Sequence, residues 1–580
     1  MGKSGQSFAA GAATLMASAV VVKVIGMMFK IPLTRMLGGE GMGYYMTAYS
    51  IFNPACALCV AGIPVAVSRL TAECLAGSHR GDLGRILSTA LGLFLPAGLL
   101  CTVGMYAAAP RLVALAGNPA ALGAVRAIAP ALVFCCISAV FRGYYEGARN
   151  MIPTAASQVV EAAVKLGAGI YATMRCLQTE LAHFYAGEPV CGFLVQNLEE
   201  AHRIIAPYAA AAAMMGVTLS TVAATLALVL AYLREPQTAP LRPGFKPGGY
   251  ARGLAGIAFP VCLGALLINL SSLADLMLVM NRLNAAAASG WEILCRGYPG
   301  ADLQRLEPER AANFLYGSYS GLTLTVFHLA PALTSSLGIS ALPLVASLAA
   351  RGNGAHLRRV VESVLRITVI VALPLGLGLS CMARPVLALL FSSNPQEVAV
   401  AEVLLRRLGA AAVLVSVSGC ISSMLQALGR VLVPVRLMLI GTLVRLGINW
   451  ALIARPEINI MGAPLGTLAS YLLVTWLAFA ALEREIAGRI SLPAVFLKPL
   501  AASLCCCAAA WGVHRLAQQL LGHLALLPAV LAAGVLYPLL LLVLRAFREE
   551  DLELMPKRMK IRRKDRGRMR NSLANPFIMR

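Results

Sequence analysis

The feature that most limits what this chain can fold into is the recurrence of long apolar runs almost free of charge. A bilayer crossing needs about 20 mostly apolar residues. A window of that size finds fourteen such runs, at 8–29, 44–70, 86–108, 121–142, 152–174, 206–233, 254–280, 314–347, 361–383, 404–428, 431–454, 461–482, 494–516 and 524–546. Within hydrocarbon every backbone N–H and C=O must be satisfied by the chain itself, so uninterrupted runs of this length are helices. Overall the 580 residues are 59% hydrophobic and 13% charged, with mean hydropathy +0.75; soluble domains carry about 25% charged residues. The expected fold is therefore all-α: a polytopic membrane protein of about fourteen transmembrane helices. The first run lacks a small-residue cleavage site followed by a soluble domain, so it reads as a span and not as a cleavable signal. The 314–347 run is longer than one crossing needs and holds Pro331 and Pro343, which predicts a bend.

An even number of crossings puts both termini on one side. Basic residues are nearly balanced between the two sets of loops, but Met555 to Arg570 holds nine Lys/Arg against one Asp. That tail predicts a cytoplasmic location for both ends, near the anionic lipid heads of the cell membrane. The net charge of +23 sits at helix ends and in the tail, so it points to a bilayer surface and not to nucleic acid. The fifteen cysteines fall mostly inside apolar runs, where they behave as small hydrophobes. Cys56 and Cys59 have a zinc-like spacing but lack a second pair or a histidine cluster. Cys176 and Cys191 flank an expected external loop, where a bridge is open to them.

An internal repeat sets the organisation. Pro64 and Ser68 recur as Pro343 and Ser347, Leu95-Pro96-Ala97-Gly98 as Leu373-Pro374-Leu375-Gly376, and Val164-Lys165-Leu166 as Val444-Arg445-Leu446, each about 280 residues apart. Glu146 and Pro153 match Gln426 and Pro434 at a similar offset. Six spans separate the copies, so both halves have one orientation, as in transporters built from parallel repeats. The expected domains are an N-terminal six-helix lobe at 1–233, a cytoplasmic linker at 234–253, a second lobe at 254–482, two further helices at 483–546 and the basic tail at 547–580. The cleft between lobes is the default substrate site.

Charges inside the spans are the candidate functional residues, because such groups are costly in hydrocarbon and usually face a polar cavity. Lys23, Lys30 and Arg35 form a basic column on the first span. Snorkelling to the interface is the plain alternative for Lys30 and Arg35. Asp275 and Arg282 are two helical turns apart on the seventh span, and counting about 1.5 Å per residue places Lys23 and Asp275 at similar depth. Asp275 either pairs with Lys23 or Arg282 as an outer gate or binds a coupling proton or cation. Glu161 and Lys165 lie one turn apart near the middle of the fifth span, a spacing that predicts an intrahelical bridge. Arg445 occupies the repeat position of Lys165. Arg142 and Glu146, at the cytoplasmic end of the fourth span, are candidate gate residues.

Several segments resemble one known family. Lys23-x2-Gly26, Lys30-Ile31-Pro32-Leu33-Thr34, Leu37-Gly38-Gly39-Glu40-Gly41-Met42-Gly43, Gly62-Ile63-Pro64-Val65-Ala66-Val67-Ser68 and Arg142-Gly143-Tyr144-Tyr145-Glu146-Gly147 are similar to the polysaccharide-biosynthesis, stage V sporulation protein B-like branch of the MOP exporter superfamily. The resemblance runs across nearly all the spans and implies a flippase for undecaprenyl-pyrophosphate-linked saccharides such as lipid II, serving cell-wall, polysaccharide or spore-cortex synthesis. It also implies kinship with MurJ-type lipid II flippases and, more distantly, with MATE exporters. The chain departs from the MurJ-type pattern at Gly43-Tyr44-Tyr45 and Ala55-Cys56-Ala57-Leu58, which carry no charge.

No Walker loop, catalytic triad or paired metal ligands stand in the sequence, so no cofactor is expected, and transport energy must come from a gradient, a potential or consumption of the product. A proton or monovalent ion is open as the coupling species. The expected partners are the lipid-linked saccharide, the bilayer and a glycosyltransferase or polymerase acting on the product. Two rival readings are a MATE-like cation-coupled exporter of small molecules, which would favour an acidic cavity, and a membrane-embedded glycosyltransferase, which needs carboxylates on sizeable loops.

Overall fold

The computed structural model describes residues 8–76, 83–234, 248–350, 354–430, 432–486, 488–544 and 546. The basic tail and most of the expected linker lie outside the described residues. The helices are α1 (Phe8–Val60), α2 (Ile63–Ala76), α3 (Leu83–Leu115), α4 (Leu122–Ile128), α5 (Ala131–Gly147), α6 (Met151–Ala186), α7 (Leu198–Arg234), α8 (Gly248–Ser289), α9 (Trp291–Arg296) and α10 (Pro308–Gly317). They continue as α11 (Leu324–Phe327), α12 (Leu329–Ala350), α13 (Gly354–Cys381), α14 (Ala383–Leu390), α15 (Pro395–Ala427), α16 (Leu432–Ile453), α17 (Gly462–Glu485), α18 (Leu492–Leu521) and α19 (Leu526–Val543). Among the described residues the one β pairing is an isolated bridge between Val190 and Phe193. The chain is a polytopic all-α protein, and each expected run coincides with a helix or a string of helices.

Among the described residues, eleven helical stretches are long and apolar enough to cross a membrane. Local features account for part of the difference from fourteen. The first two runs join into one stretch, Ala17–Leu75. The fifth run, in α6, is diluted by Glu161 and Lys165, and the eighth ends in α12, an apolar helix of 22 residues.

The loop expected between the first two runs does not form. The α1 helix passes through Pro32 to Met42 with a single non-helical residue, Gly38, at φ 63 and ψ −169. Glycine reaches that left-handed φ without a Cβ clash, so one residue redirects the helix where a connection was expected. Leu33, Leu37 and Met42 around the kink are buried, which is why this stretch packs and does not face water. The eighth run is broken at Ser318–Thr323, a π-helical stretch whose six residues are all buried. Such wide turns are rare and concentrate at functional sites.

The helices gather into two compact units. Unit 1 comprises Met1–Thr325, Leu390–Ala401 and Leu446–Ala463. In it α1 packs against α6, α7, α8 and α10, and α6 pairs along its length with α7. Unit 2 comprises Val326–Leu389, Glu402–Arg445 and Pro464–Arg580. Its core joins Val361, Leu365 and Val369 of α13 to Ile421 and Leu425 of α15 and to Val495 of α18. Tyr537 of α19 donates its hydroxyl hydrogen to Ile370 O at 2.7 Å, which ties the last helix to α13 beside a smaller cluster of Ile370, Ala502 and Leu541. Leu531, Val535 and Val543 of α19 stay largely exposed, as expected of a helix face meeting hydrocarbon.

Candidate functional site

The candidate site lies within unit 1, where α1, α6 and the π-helical stretch approach one another. It begins at the α5–α6 turn. Residues 148–150 connect the two helices, with Arg149 at φ 56, so the last turns of α5 lie beside the first turns of α6. There Arg142 Nη2 meets Glu161 Oε2 at 2.7 Å, and Arg142 Nε donates to Ser157 Oγ at 3.1 Å. Glu161 therefore takes its cation from α5 and not from Lys165. The expected intrahelical bridge is replaced by an interhelical one, because a bond to a fixed guanidinium also satisfies a buried hydroxyl. Glu146, one turn beyond Arg142, is half-buried on α5.

Lys165 turns the other way, toward α1. Its Nζ donates to Tyr49 OH at 2.5 Å and sits 4.8 Å from the Tyr49 ring centroid and 5.2 Å from that of Phe29. Those rings belong to an aromatic ledge, with Phe29–Tyr45 at 6.5 Å, Tyr45–Tyr49 at 5.3 Å and Tyr49–Phe52 at 6.3 Å between centroids. Phe29 precedes the Gly38 kink and the three others follow it, so the kink assembles the ledge from both arms of α1. Next to Phe29, Lys30 donates from Nζ to Ser320 O at 3.4 Å, a carbonyl of the π-helical stretch. Lys30 and Lys165 interact electrostatically with each other. Among the described residues neither ammonium lies within ion-pair distance of a carboxylate, and every hydrogen-bond partner they have is neutral. The pair is a concentration of uncompensated positive charge against aromatic faces.

The kink itself is clamped. Gly39 N donates to Glu397 Oε1 at 2.8 Å, Asn394 Nδ2 donates to the same oxygen at 3.4 Å, and Arg35 Nε donates to Leu390 O at 2.6 Å. Arg35 thus holds a backbone carbonyl. Beside it a buried amide network runs from Thr47 through Asn118 to Asn313: Asn118 Nδ2 donates to Thr47 Oγ1 at 3.0 Å and to Asn313 Oδ1 at 2.8 Å, and Asn313 Nδ2 donates to Glu40 O at 2.8 Å.

The other sequence candidates fall elsewhere. Asp275 Oδ1 accepts from Asn449 Nδ2 at 3.0 Å, and the Arg282 guanidinium lies 4.3 Å from the Trp450 ring centroid. Two residues two turns apart on α8 therefore both engage the end of α16. Lys23 is exposed on α1, and Arg445 is half-buried on α16 within unit 2. Residues not anticipated are Phe29, Tyr49, Ser320, Asn118, Asn313 and Glu397. The 45-49-52 spacing of aromatic residues is a readable helical face, whereas the contact of Tyr49 with Lys165 depends on packing alone.

Residues 8–188 match the family model for polysaccharide biosynthesis proteins, and residues 318–451 match the MatE model. Stage V sporulation protein B of Bacillus subtilis (strain 168) is 25% identical over 567 residues, covering 95% of this chain and 98% of that one. These matches liken the chain to the MOP superfamily. Its likeness is to the polysaccharide-biosynthesis, stage V sporulation protein B-like branch. Two solved structures share the MOP fold. The lipid II flippase MurJ in its inward closed conformation superposes with a TM-score of 0.60 at 12% identity, covering 91% of this chain and 97% of that one. An inward-facing multidrug resistance MATE family transporter of the MOP superfamily superposes at 0.55 with 15% identity, covering 80% and 95%.

Proposed function

We propose that this chain is an alternating-access flippase for an anionic lipid-linked saccharide, of the undecaprenyl-pyrophosphate class, in the cell membrane with both termini cytoplasmic. The observation that carries the reading is the Lys30–Lys165 pair. Two ammonium groups with only neutral partners favour a dianionic ligand, and a pyrophosphate supplies the missing charge and accepts charge-assisted hydrogen bonds. The half-buried ring of Tyr49, backed by buried Phe29 and Tyr45, offers an apolar face to a sugar ring beside that charge. The relatives agree, since one is named a lipid II flippase and another a sporulation protein. In this reading the two repeats, 1–233 and 254–482, are the moving lobes. Arg142, Glu161 and Glu146 form the inner gate, and Asp275, Arg282 and Lys23 form the outer one. Delivery of a cell-wall or spore-cortex precursor to an external glycosyltransferase or polymerase is the role we assign.

The test is flipping of a labelled undecaprenyl-pyrophosphate saccharide in proteoliposomes. A hydrogen bond to a charged group contributes about 1.5–3 kcal/mol, so Lys30→Ala and Lys165→Ala should each slow flipping by about 10- to 150-fold. Lys165→Arg should retain more activity than Lys165→Ala. Wild-type rates in both alanine variants, with folding intact, would remove the reading.

A further inference from the structure

The α6 helix runs on well past its apolar run to Ala186, and residues 187–197 return the chain to α7. That return is pinned by a tight turn. Val190 and Phe193 exchange both backbone hydrogen bonds at 2.9 Å, and Cys191 (φ 49) and Gly192 (φ 89) form its corner. Two successive residues at positive φ are the signature of a type I′ turn, which favours Asn, Asp or Gly at its first corner. A cysteine there opposes the local backbone preference, and a broken local rule points to a second constraint on the residue.

The neighbours of Cys191 supply that constraint. Its N–H donates to Glu180 Oε2 at 2.7 Å, and its thiol bonds the same carboxylate. Glu180 is one helical turn beyond Cys176 on the same face of α6, so the bond brings Cys191 to the turn that carries Cys176. The two sulfurs are close enough to interact electrostatically, and both residues are half-buried. We propose that Cys176 and Cys191 are joined by a disulfide in the functioning protein, a covalent staple across the α6–α7 hairpin outside the bilayer.

The bond forms by exchange with the disulfide of a thiol–disulfide oxidoreductase facing this hairpin. One cysteine thiolate attacks a sulfur of the oxidant and releases one oxidant thiol, leaving a mixed disulfide. The second cysteine then displaces the other oxidant sulfur. Two S–H bonds of this chain are lost, one S–S bond is gained, and the oxidant ends as a dithiol. Burial and the Glu180 carboxylate push both thiols up, that of Cys191 to about 12. A thiol of that kind is also a poor leaving group. Reduction that expels the Cys191 thiol is therefore slow.

The experiment uses the full-length protein in its native membranes. Free thiols are alkylated before solubilisation and without reductant, and peptides are mapped by mass spectrometry. The expected result is a linked pair of peptides bearing Cys176 and Cys191, lighter by two hydrogens, with both sites alkylated only after reduction. Cys191→Ser should then render Cys176 alkylable without reductant. Cys191→Asn, which suits the turn, should do the same with the hairpin preserved. Direct alkylation of both cysteines in the wild-type protein would overturn the proposal. Neither outcome depends on flipping, so the staple and the transport reading fail separately.

Discussion

Gly317 gives the sharpest test of how the site is held together. It closes α10 and faces the kinked part of α1, where an added Cβ would stand 1.7 Å from Gly39 O and 2.7 Å from Gly43 N. Carbon and oxygen settle near 3.4 Å, so Gly317→Ala must push the helices apart by roughly 1.5 Å. Asn313 lies one turn earlier on the same face of α10, and its bonds to Glu40 O and Asn118 are both 2.8 Å long. That displacement carries each beyond hydrogen-bonding range. Two buried polar pairs left unmade cost about 1–3 kcal/mol each, and forcing an extra methyl into a packed crossing costs about 1–3 kcal/mol more. The expected loss is about 3–9 kcal/mol, comparable with the whole stability of a typical domain. The assay is thermal unfolding in detergent with a thiol-reactive dye that reports the buried cysteines. Gly26→Ala serves as control, because nothing lies within 4 Å of the Cβ it adds, and it should be neutral or slightly stabilising. A Gly317→Ala protein that melts with the Gly26→Ala control would refute the reasoning.

Three further outcomes are expected. Arg142→Ala strands a carboxylate whose side chain is only 34% exposed and should destabilise by about 1–3 kcal/mol. Arg142→Ala with Glu161→Ala should cost less than the sum of the single changes by about 1 kcal/mol, and strictly additive thermal shifts would dismiss the pair. Asn118→Leu removes donors to Thr47 and Asn313 and should destabilise by about 2–4 kcal/mol, measured in the same melt; an unchanged melting temperature would rule out the network. Tyr49→Phe keeps the ring beneath Lys165 and deletes its hydrogen-bond partner, so it should slow flipping less than Tyr49→Ala, whereas equal rates would deny the ledge a role.

How much was legible in the sequence depended on the range of the signal. Apolar length is a local property, and every expected run does contain helix. The kink at Gly38 was misplaced as a loop because Pro32 and the Gly38-Gly39-Glu40-Gly41 stretch carry turn chemistry. One residue at positive φ proved enough to turn the chain. Glu161 and Lys165 were both legible as polar residues in a span, yet their spacing suggested each other as partners. Arg142 and Tyr49 lie 19 and 116 residues away from them, and no periodicity announces such partners. The amide chain from Asn118 to Asn313 spans 195 residues and was invisible for the same reason. By contrast, Arg282 and Asp275 were correctly placed on one face of α8, because two helical turns can be counted without any tertiary information.

The break at Gly38 also makes α1 an elbow between two stiff rods. The rod from Gly39 to Val60 is about 33 Å long at 1.5 Å per residue. A swing of only 10° about that one glycine would sweep its tip through about 6 Å, the length of a helical turn. Glu397, gripping the first amide past the joint, is then the brake on a lever, and the aromatic side chains seated along the rod ride with it.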